Sequence, residues 1–280
     1  MKFPAGLSIV DGCFGRGWMK RCSSALLFVL ALAAAPSVLA QATQVGTASV
    51  TACAANGSAT VTIAGSNTTV PLGCLNQAQR TSPGTSDVTA GNLNVSILGL
   101  VNAANVSSVE SIAQYANAPN TTQLTGSTQA SSVSLAQGLV SANNVRGQLS
   151  CTADTGDRTL HCAANSTIGQ MTIAGQSVTL PTPIPRNYTL PVQGNLTVTV
   201  LGLPVTVGVT GTAVLNEAVA GGVNSPTVTV RQHNVHLTLG GGTTIPGGQL
   251  LNVHLDLVDD VTASATVPNQ GSWFTAVQIQ

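Results

Sequence analysis

Asn234-Val-His236-Leu237 and Asn252-Val-His254-Leu255 repeat one pattern on either side of the glycine-rich stretch from Gly240 to Gly248. If the two copies are arms of a hairpin, His236 and His254 approach each other. Asp256 then shares a face with His254, because alternate strand residues point the same way. Two imidazoles and a carboxylate are a donor set for a divalent metal. Spacing alone fixes no coordination geometry. The expectation is therefore two ordinary strand histidines beside a turn, with His236, His254 and Asp256 as the alternative metal set. His233 lies an odd number of residues from His236, which places it on the opposite face of a regular strand. Asp259-Asp260 is a candidate carboxylate pair for acid–base work. Adjacent strand residues point apart, however, and the dipeptide reads as a turn at a strand end.

Other chemistry finds little support. The sequence has no Gly-x-Ser-x-Gly elbow, Walker loop, His-Glu-x-x-His helix or calcium loop. Serine and threonine abound, but a nucleophile needs a positioned base, and His161, beside Cys162, reads as structural. Asp154 and Asp157 suit turn chemistry. The expectation is a protein with no catalytic residue, no cofactor and no metal, and not an enzyme.

The elements that position these residues begin with the cysteines. Cys53, Cys74, Cys151 and Cys162 follow an export-type leader and read as two disulfides, with three connectivities open. Cys151 and Cys162 are equidistant from Gly156-Asp157, a dipeptide suited to a hairpin turn. That favours Cys151–Cys162 with Cys53–Cys74. The C-x2-C spacing of a zinc site is absent.

Residues 1–40 read as an N-terminal extension plus signal peptide. From Met19 there is a basic start (Lys20, Arg21), an apolar run over 25–35 and Val38-Leu39-Ala40 before the cut. The mature chain is expected to begin at Gln41, with no lipid-attachment cysteine and no transmembrane segment. Both lysines, Lys2 and Lys20, lie in the leader. After Ala40 five arginines face eight carboxylates, a formal charge of −3. That balance excludes a basic track for nucleic acid and an affinity for anionic membrane surfaces. Aromatics after the leader are Tyr115, Tyr188, Trp273 and Phe274, so the core must be aliphatic.

Strand patterns fall over residues 48–53, 59–64, 69–72, 94–98, 106–112, 132–135, 140–151, 160–162, 171–180, 195–201, 203–214, 227–239, 249–258, 262–267 and 273–279. Residues 75–91 and 116–127 read as loops or weak edges, and 106–115 as the one stretch where a short helix competes. Two echoes run through the chain. Residues 99–106 resemble 138–145, and Cys53-Ala-Ala-Asn56 with Thr62-Ile-Ala-Gly65 resembles Cys162-Ala-Ala-Asn165 with Thr172-Ile-Ala-Gly175. Their order, A–B–B–A, lacks the constant period of a solenoid. The expected fold is all-β, an antiparallel β-sandwich with internal repeats; a β-helix or solenoid is the alternative. The prolines over 181–185 divide a first β-rich half, 41–181, holding both disulfides, from a second, 186–280, the two halves forming either separate domains or one.

Gly138-Leu-Val-Ser-Ala, the Cys151/Cys162 hairpin, Thr172-Ile-Ala-Gly175, Val214-Leu-Asn-Glu217 and Asn252-Val-His-Leu255 together resemble the bacterial choice-of-anchor P proteins over roughly residues 90–267. The resemblance implies an exported or surface protein and brings no established catalytic residues. After Val267 the sequence PNQGSWFTAVQIQ shows no sorting motif, apolar helix or basic tail. The expected function is a secreted or cell-surface-associated protein with a structural or adhesive role, extracellular or periplasmic. Its expected partners are copies of itself, or cell-surface and matrix components. The alternative is a glycan- or small-ligand-binding module using Tyr115, Tyr188 or Trp273, with the metal set His236, His254 and Asp256 ranked behind it.

Overall fold

A computed structural model of the chain describes residues 46–97, 101–119, 121–154, 156, 158–200, 202–245, 248–266 and 276–280. The leader, its cleavage point, Gly99 of the first echo, Asp157, Trp273 and Phe274 lie outside the described residues.

The strands are β1 (Thr47–Ile63), β2 (Ser66–Pro71), β3 (Ala78–Arg80), β4 (Gly84–Ile97), β5 (Val101–Asn117), β6 (Thr121–Leu135), β7 (Val140–Asp154), β8 (Thr159–Thr167), β9 (Gln170–Ile173), β10 (Gln176–Val178), β11 (Tyr188–Val200), β12 (Leu203–Gly221), β13 (Thr227–Ile245), β14 (Gln249–Thr266) and β15 (Ala276–Ile279). One sheet runs β11-β12-β13-β14-β1-β2, with β3 also on β1. The other runs β10-β9-β7-β6-β5-β4, with β8 on β7 and β15 on β8. The pairings are antiparallel except β15 with β8. The fold is all-β, two packed antiparallel sheets in a sandwich, and not a β-helix. Strands from before and after the prolines share the first sheet, since β1, β2 and β3 lie in it beside β11 to β14.

Alternation explains most of these strands. In β11, Leu196, Val198 and Val200 are buried, while the intervening Asn195 and Thr197 are exposed and Thr199 is half-buried. Branched and aliphatic side chains suit a pleated, half-buried surface. The core is aliphatic as expected: Leu215, Leu237, Leu239 and Leu255 are fully buried. The competing helix at 106–115 loses to the period-two burial of β5, which spans that stretch as a strand.

Two stretches read as loops or weak edges are strands, the first of them at a sheet edge. Residues 84–91 belong to β4 and 121–127 to β6, the latter central in its sheet. Their polar character reflects small or hydroxyl side chains at inward positions: Thr122, Gly126 and Thr128 of β6 all face the sandwich interior beside Leu124.

The outer echo has a structural meaning. Ala64-Gly65 turns β1 into β2 with φ of 52° and 82°, and Ala174-Gly175 turns β9 into β10 with φ of 49° and 77°. Two consecutive left-handed residues define the tight turn whose twist matches its strands. The repeated Thr-Ile-Ala-Gly is one hairpin used twice.

Both disulfides are formed as Cys53–Cys74 and Cys151–Cys162, compatible with an oxidising compartment. No helix among the described residues is long and apolar enough to cross a membrane. Cys151 and Cys162 oppose each other on β7 and β8, inside an interior apolar cluster with Leu124, Leu149 and Leu160. Closing that short loop is worth about 3 kcal/mol through the unfolded chain. The double variant Cys151→Ala/Cys162→Ala is expected to lose about that much in non-reducing urea unfolding. A loss below about 1 kcal/mol would show that the loop is already restricted without the bridge.

Candidate functional site

Both sheets change phase at one level along their length. In β13, Val228, Val230, Gln232 and Asn234 face inward, and then Val235, Leu237 and Leu239 do. The pairing with β14 slips between His233 and Val235, which marks Asn234 as a bulge residue. The neighbouring strand β12 carries a left-handed Asn216 (φ 52°) between the pairs Leu215–Val235 and Glu217–His233. In β1 the register slips between Cys53 and Asn56. The opposite sheet does the same with left-handed Ser108 in β5 and Asn144 in β7. Asparagine tolerates this conformation better than branched residues do.

At this level the interior is polar. Asp259 accepts hydrogen bonds from Thr128 Oγ1 (2.8 Å), which crosses from the opposite sheet, and from Asn234 Nδ2 (3.0 Å). Asn234 Nδ2 also reaches Thr128 Oγ1 (2.7 Å), and Gln232 Nε2 donates to Asn234 Oδ1 (2.8 Å). Gly147 of β7 lies against the Asn234 side chain, and a Cβ there would overlap its amide. The seam divides the apolar interior into two clusters, one around Leu237, Leu239 and Leu255, the other around Leu124, Leu149 and Val261. Burial pushes the Asp259 carboxyl up to about 7, against the two hydrogen bonds that favour its charge; the nearby Asp260 charge pushes the same way.

The outer face carries the mirror consequence. Because Asn234 adds a residue, His233 and His236 emerge on the same side of β13, their ring centroids 5.3 Å apart and nearly perpendicular. Glu217 of β12 lies between them: its Oε2 accepts from His233 Nδ1 at 2.7 Å and from His236 Nδ1 at 2.5 Å. His236 Nε2 faces Asp256 Oδ1 of β14 at 2.9 Å. Asp260 is the residue of β14 directly paired with His233. Burial raises its carboxyl, while the His233 ring, Thr262 and Arg231 partly offset that. Burial also opposes the charge on Glu217, but the two imidazoles outweigh it and hold its carboxyl below the usual value. One donor atom each from Glu217, His233 and His236 lies within 4.8 Å of the others, and all three residues are half-buried.

This arrangement revises the sequence reading in three places. His233 is on the face of His236, because counting by twos fails across a bulge. His254 pairs with Gly240, further along β13 from His236, and is exposed, so of the alternative metal set only His236 and Asp256 meet. Asp259-Asp260 is no turn: both residues lie inside β14, pointing apart, one into the seam and one toward His233. The sequence pattern does not single out Glu217, because its partners lie on the next strand. The signal for it was Asn216-Glu217 and His233-Asn234, an asparagine beside a charged or imidazole residue in two otherwise apolar strands. Tyr115 is buried in the second apolar cluster, which removes it from any exposed sugar-stacking surface.

Fold and site thus define a disulfide-linked antiparallel β-sandwich with a histidine–carboxylate cluster on the outside of one sheet. No protein-family model, no curated protein and no solved structure matches the chain.

The seam makes stability depend on pH with a definite sign. A carboxyl whose folded value exceeds its unfolded one binds the extra proton only in the folded state between the two. Asp259 therefore supports folding fully below its ordinary value of 3.8, and that support is lost as pH rises through about 7. The span corresponds to about 4 kcal/mol. Glu217, with a lowered value, contributes in the opposite sense, its support being lost as pH falls below its ordinary 4.5. Asp259→Asn isolates the first effect. Its unfolding free energy relative to the wild type is expected to rise between about pH 5 and pH 8, by a few kcal/mol at the upper end; a difference independent of pH would refute a neutral Asp259.

Proposed function

We propose that this is an exported, surface-associated structural or adhesive protein without catalysis, working through association with copies of itself and with cell-surface material. The observation that carries the reading is the pair of long, charge-poor sheet edges. β11, of 13 residues, pairs only with β12 among the described residues and contains no charged side chain. β4, of 14 residues, ends the other sheet and contains one, Asp87. Such edges offer rows of backbone donors and acceptors to another chain, and soluble proteins ordinarily blunt them with lysine or by covering them. Here the Gln137 side chain covers part of β11: it donates to Thr197 O at 2.5 Å and accepts from Thr197 N at 2.8 Å. The stretch Tyr188–Gly194 has no strand on its outer side among the described residues, and Pro191 is the one position there without a backbone donor.

The two disulfides, the leader pattern and the low net charge support export and weak self-repulsion. The resemblance to choice-of-anchor P proteins supports the same placement at the cell surface.

The test is sedimentation velocity of the oxidised chain over a wide concentration range, with adhesion to producing cells and to matrix proteins measured alongside. Association that grows with concentration and falls in Thr189→Lys/Gln193→Lys, two exposed β11 positions, is the expected outcome. A chain that stays monomeric throughout and adheres to nothing refutes the reading.

A further inference from the structure

We propose that Glu217, His233 and His236 bind one divalent first-row transition ion, zinc by preference, on the outer face of the first sheet. Two imidazoles and one carboxylate are the three-ligand set that zinc takes with its fourth position left to water or another ligand. The three donors come from adjacent strands at one bulged level, and their ligand atoms already converge within 4.8 Å. Bonds of about 2.0–2.1 Å in a tetrahedron need donors about 3.3 Å apart. The 2.5 Å and 2.7 Å contacts of Glu217 Oε2 with the two rings therefore open by less than an ångström as the ion replaces the shared protons.

The residues behind the donors fit the same purpose. Metal-bound histidines usually donate their second ring N–H to a carboxylate, which fixes the tautomer and leaves the other nitrogen free to coordinate. Both rings turn Nδ1 toward Glu217, and Asp256 Oδ1 stands 2.9 Å from His236 Nε2 in that supporting position. Asp260 stands beside His233 on β14, is 6% exposed, and its Oδ1 has no hydrogen-bond partner among the described residues. A pure hydrogen-bonded cluster leaves this buried oxygen unexplained. An added dication would place further positive charge beside Asp260, whose carboxylate already faces the His233 ring and Arg231.

The experiment is titration of the full oxidised, chelator-stripped chain with zinc, followed by calorimetry and elemental analysis, with cobalt(II) as a spectroscopic probe. One zinc per chain is expected, with cobalt bands of four-coordinate intensity. His233→Ala and His236→Ala are expected to abolish that stoichiometric uptake, and Asp256→Asn to weaken it by about tenfold or more. His254→Ala, at an exposed position outside the cluster, is expected to bind as the wild type does. Glu217→Gln, nearly the same in shape, serves if a histidine variant misfolds by near-UV dichroism, and is expected to lose uptake while keeping the native signal. The proposal is overturned by a wild type that takes up no stoichiometric zinc, by uptake that survives in folded His236→Ala or Glu217→Gln, or by uptake lost in His254→Ala. None of these readouts depends on self-association.

Discussion

A carboxyl group buried midway between two apolar clusters sets the geometry of this molecule. Asp259 sits where a β-sandwich ordinarily places an aliphatic side chain, and burying a carboxyl is tolerable only if it is hydrogen-bonded or neutral. The fold supplies both. Thr128 reaches it from the opposite sheet and Asn234 from the neighbouring strand, and burial itself favours the protonated form. That pairing fixes how the two sheets are aligned along their length, because sliding either by one residue leaves each of these groups facing hydrocarbon. Gly147 completes the fit by leaving room for the Asn234 amide.

The row of bulges follows from placing that seam in long strands. Strands β12 and β13 are 19 residues each, far beyond the usual ~5–6. Holding one face inward over such a length conflicts with sheet twist, and a bulge relieves it by shifting the phase and increasing the local twist. Asn216 and Asn234 adopt the shift in adjacent strands, and Ser108 and Asn144 do so across the interior. Chemistry on the outside of the sheet is a by-product of this internal adjustment.

How far the sequence could be read follows the same division. Period-two alternation made residues 195–200 of β11, 203–214 of β12 and 227–239 of β13 legible, and cysteine spacing around Gly156 placed Cys151 opposite Cys162. The repeated Thr-Ile-Ala-Gly is visible in the sequence, but its second copy reads there as one strand over 171–180, where the structure turns β9 into β10 at Ala174-Gly175. What escaped lies where alternation is interrupted or its contrast is low. Counting by twos puts His233 on the wrong face because one bulge residue inverts every position beyond it. Asp259-Asp260 looked like punctuation because two adjacent charges rarely sit within a strand. Residues 121–127 looked like a loop because their inward positions are threonine, glycine and a lone leucine. In each case the local composition was polar for a tertiary reason, packing against the seam or facing the other sheet, which a single strand's pattern does not display.

Asn234 joins the inner and outer halves of this arrangement. Its side chain belongs to the seam, donating to Asp259 and Thr128, while its extra backbone residue turns His233 and His236 to one side. A replacement that keeps the bulge but removes the amide disturbs only the interior, leaving Thr128 and Asp259 to pair alone. Straightening the bulge with Asn234 kept in the strand would put His233 and His236, three residues apart, on opposite faces and separate them from their shared contact with Glu217. The cluster is therefore a property of backbone phase, and the three side chains would not meet in an unbulged strand of the same composition. Because the phase is held by a buried hydrogen-bond network, the outer donors inherit its rigidity: their positions are fixed from beneath, on strands, and not by a surface loop.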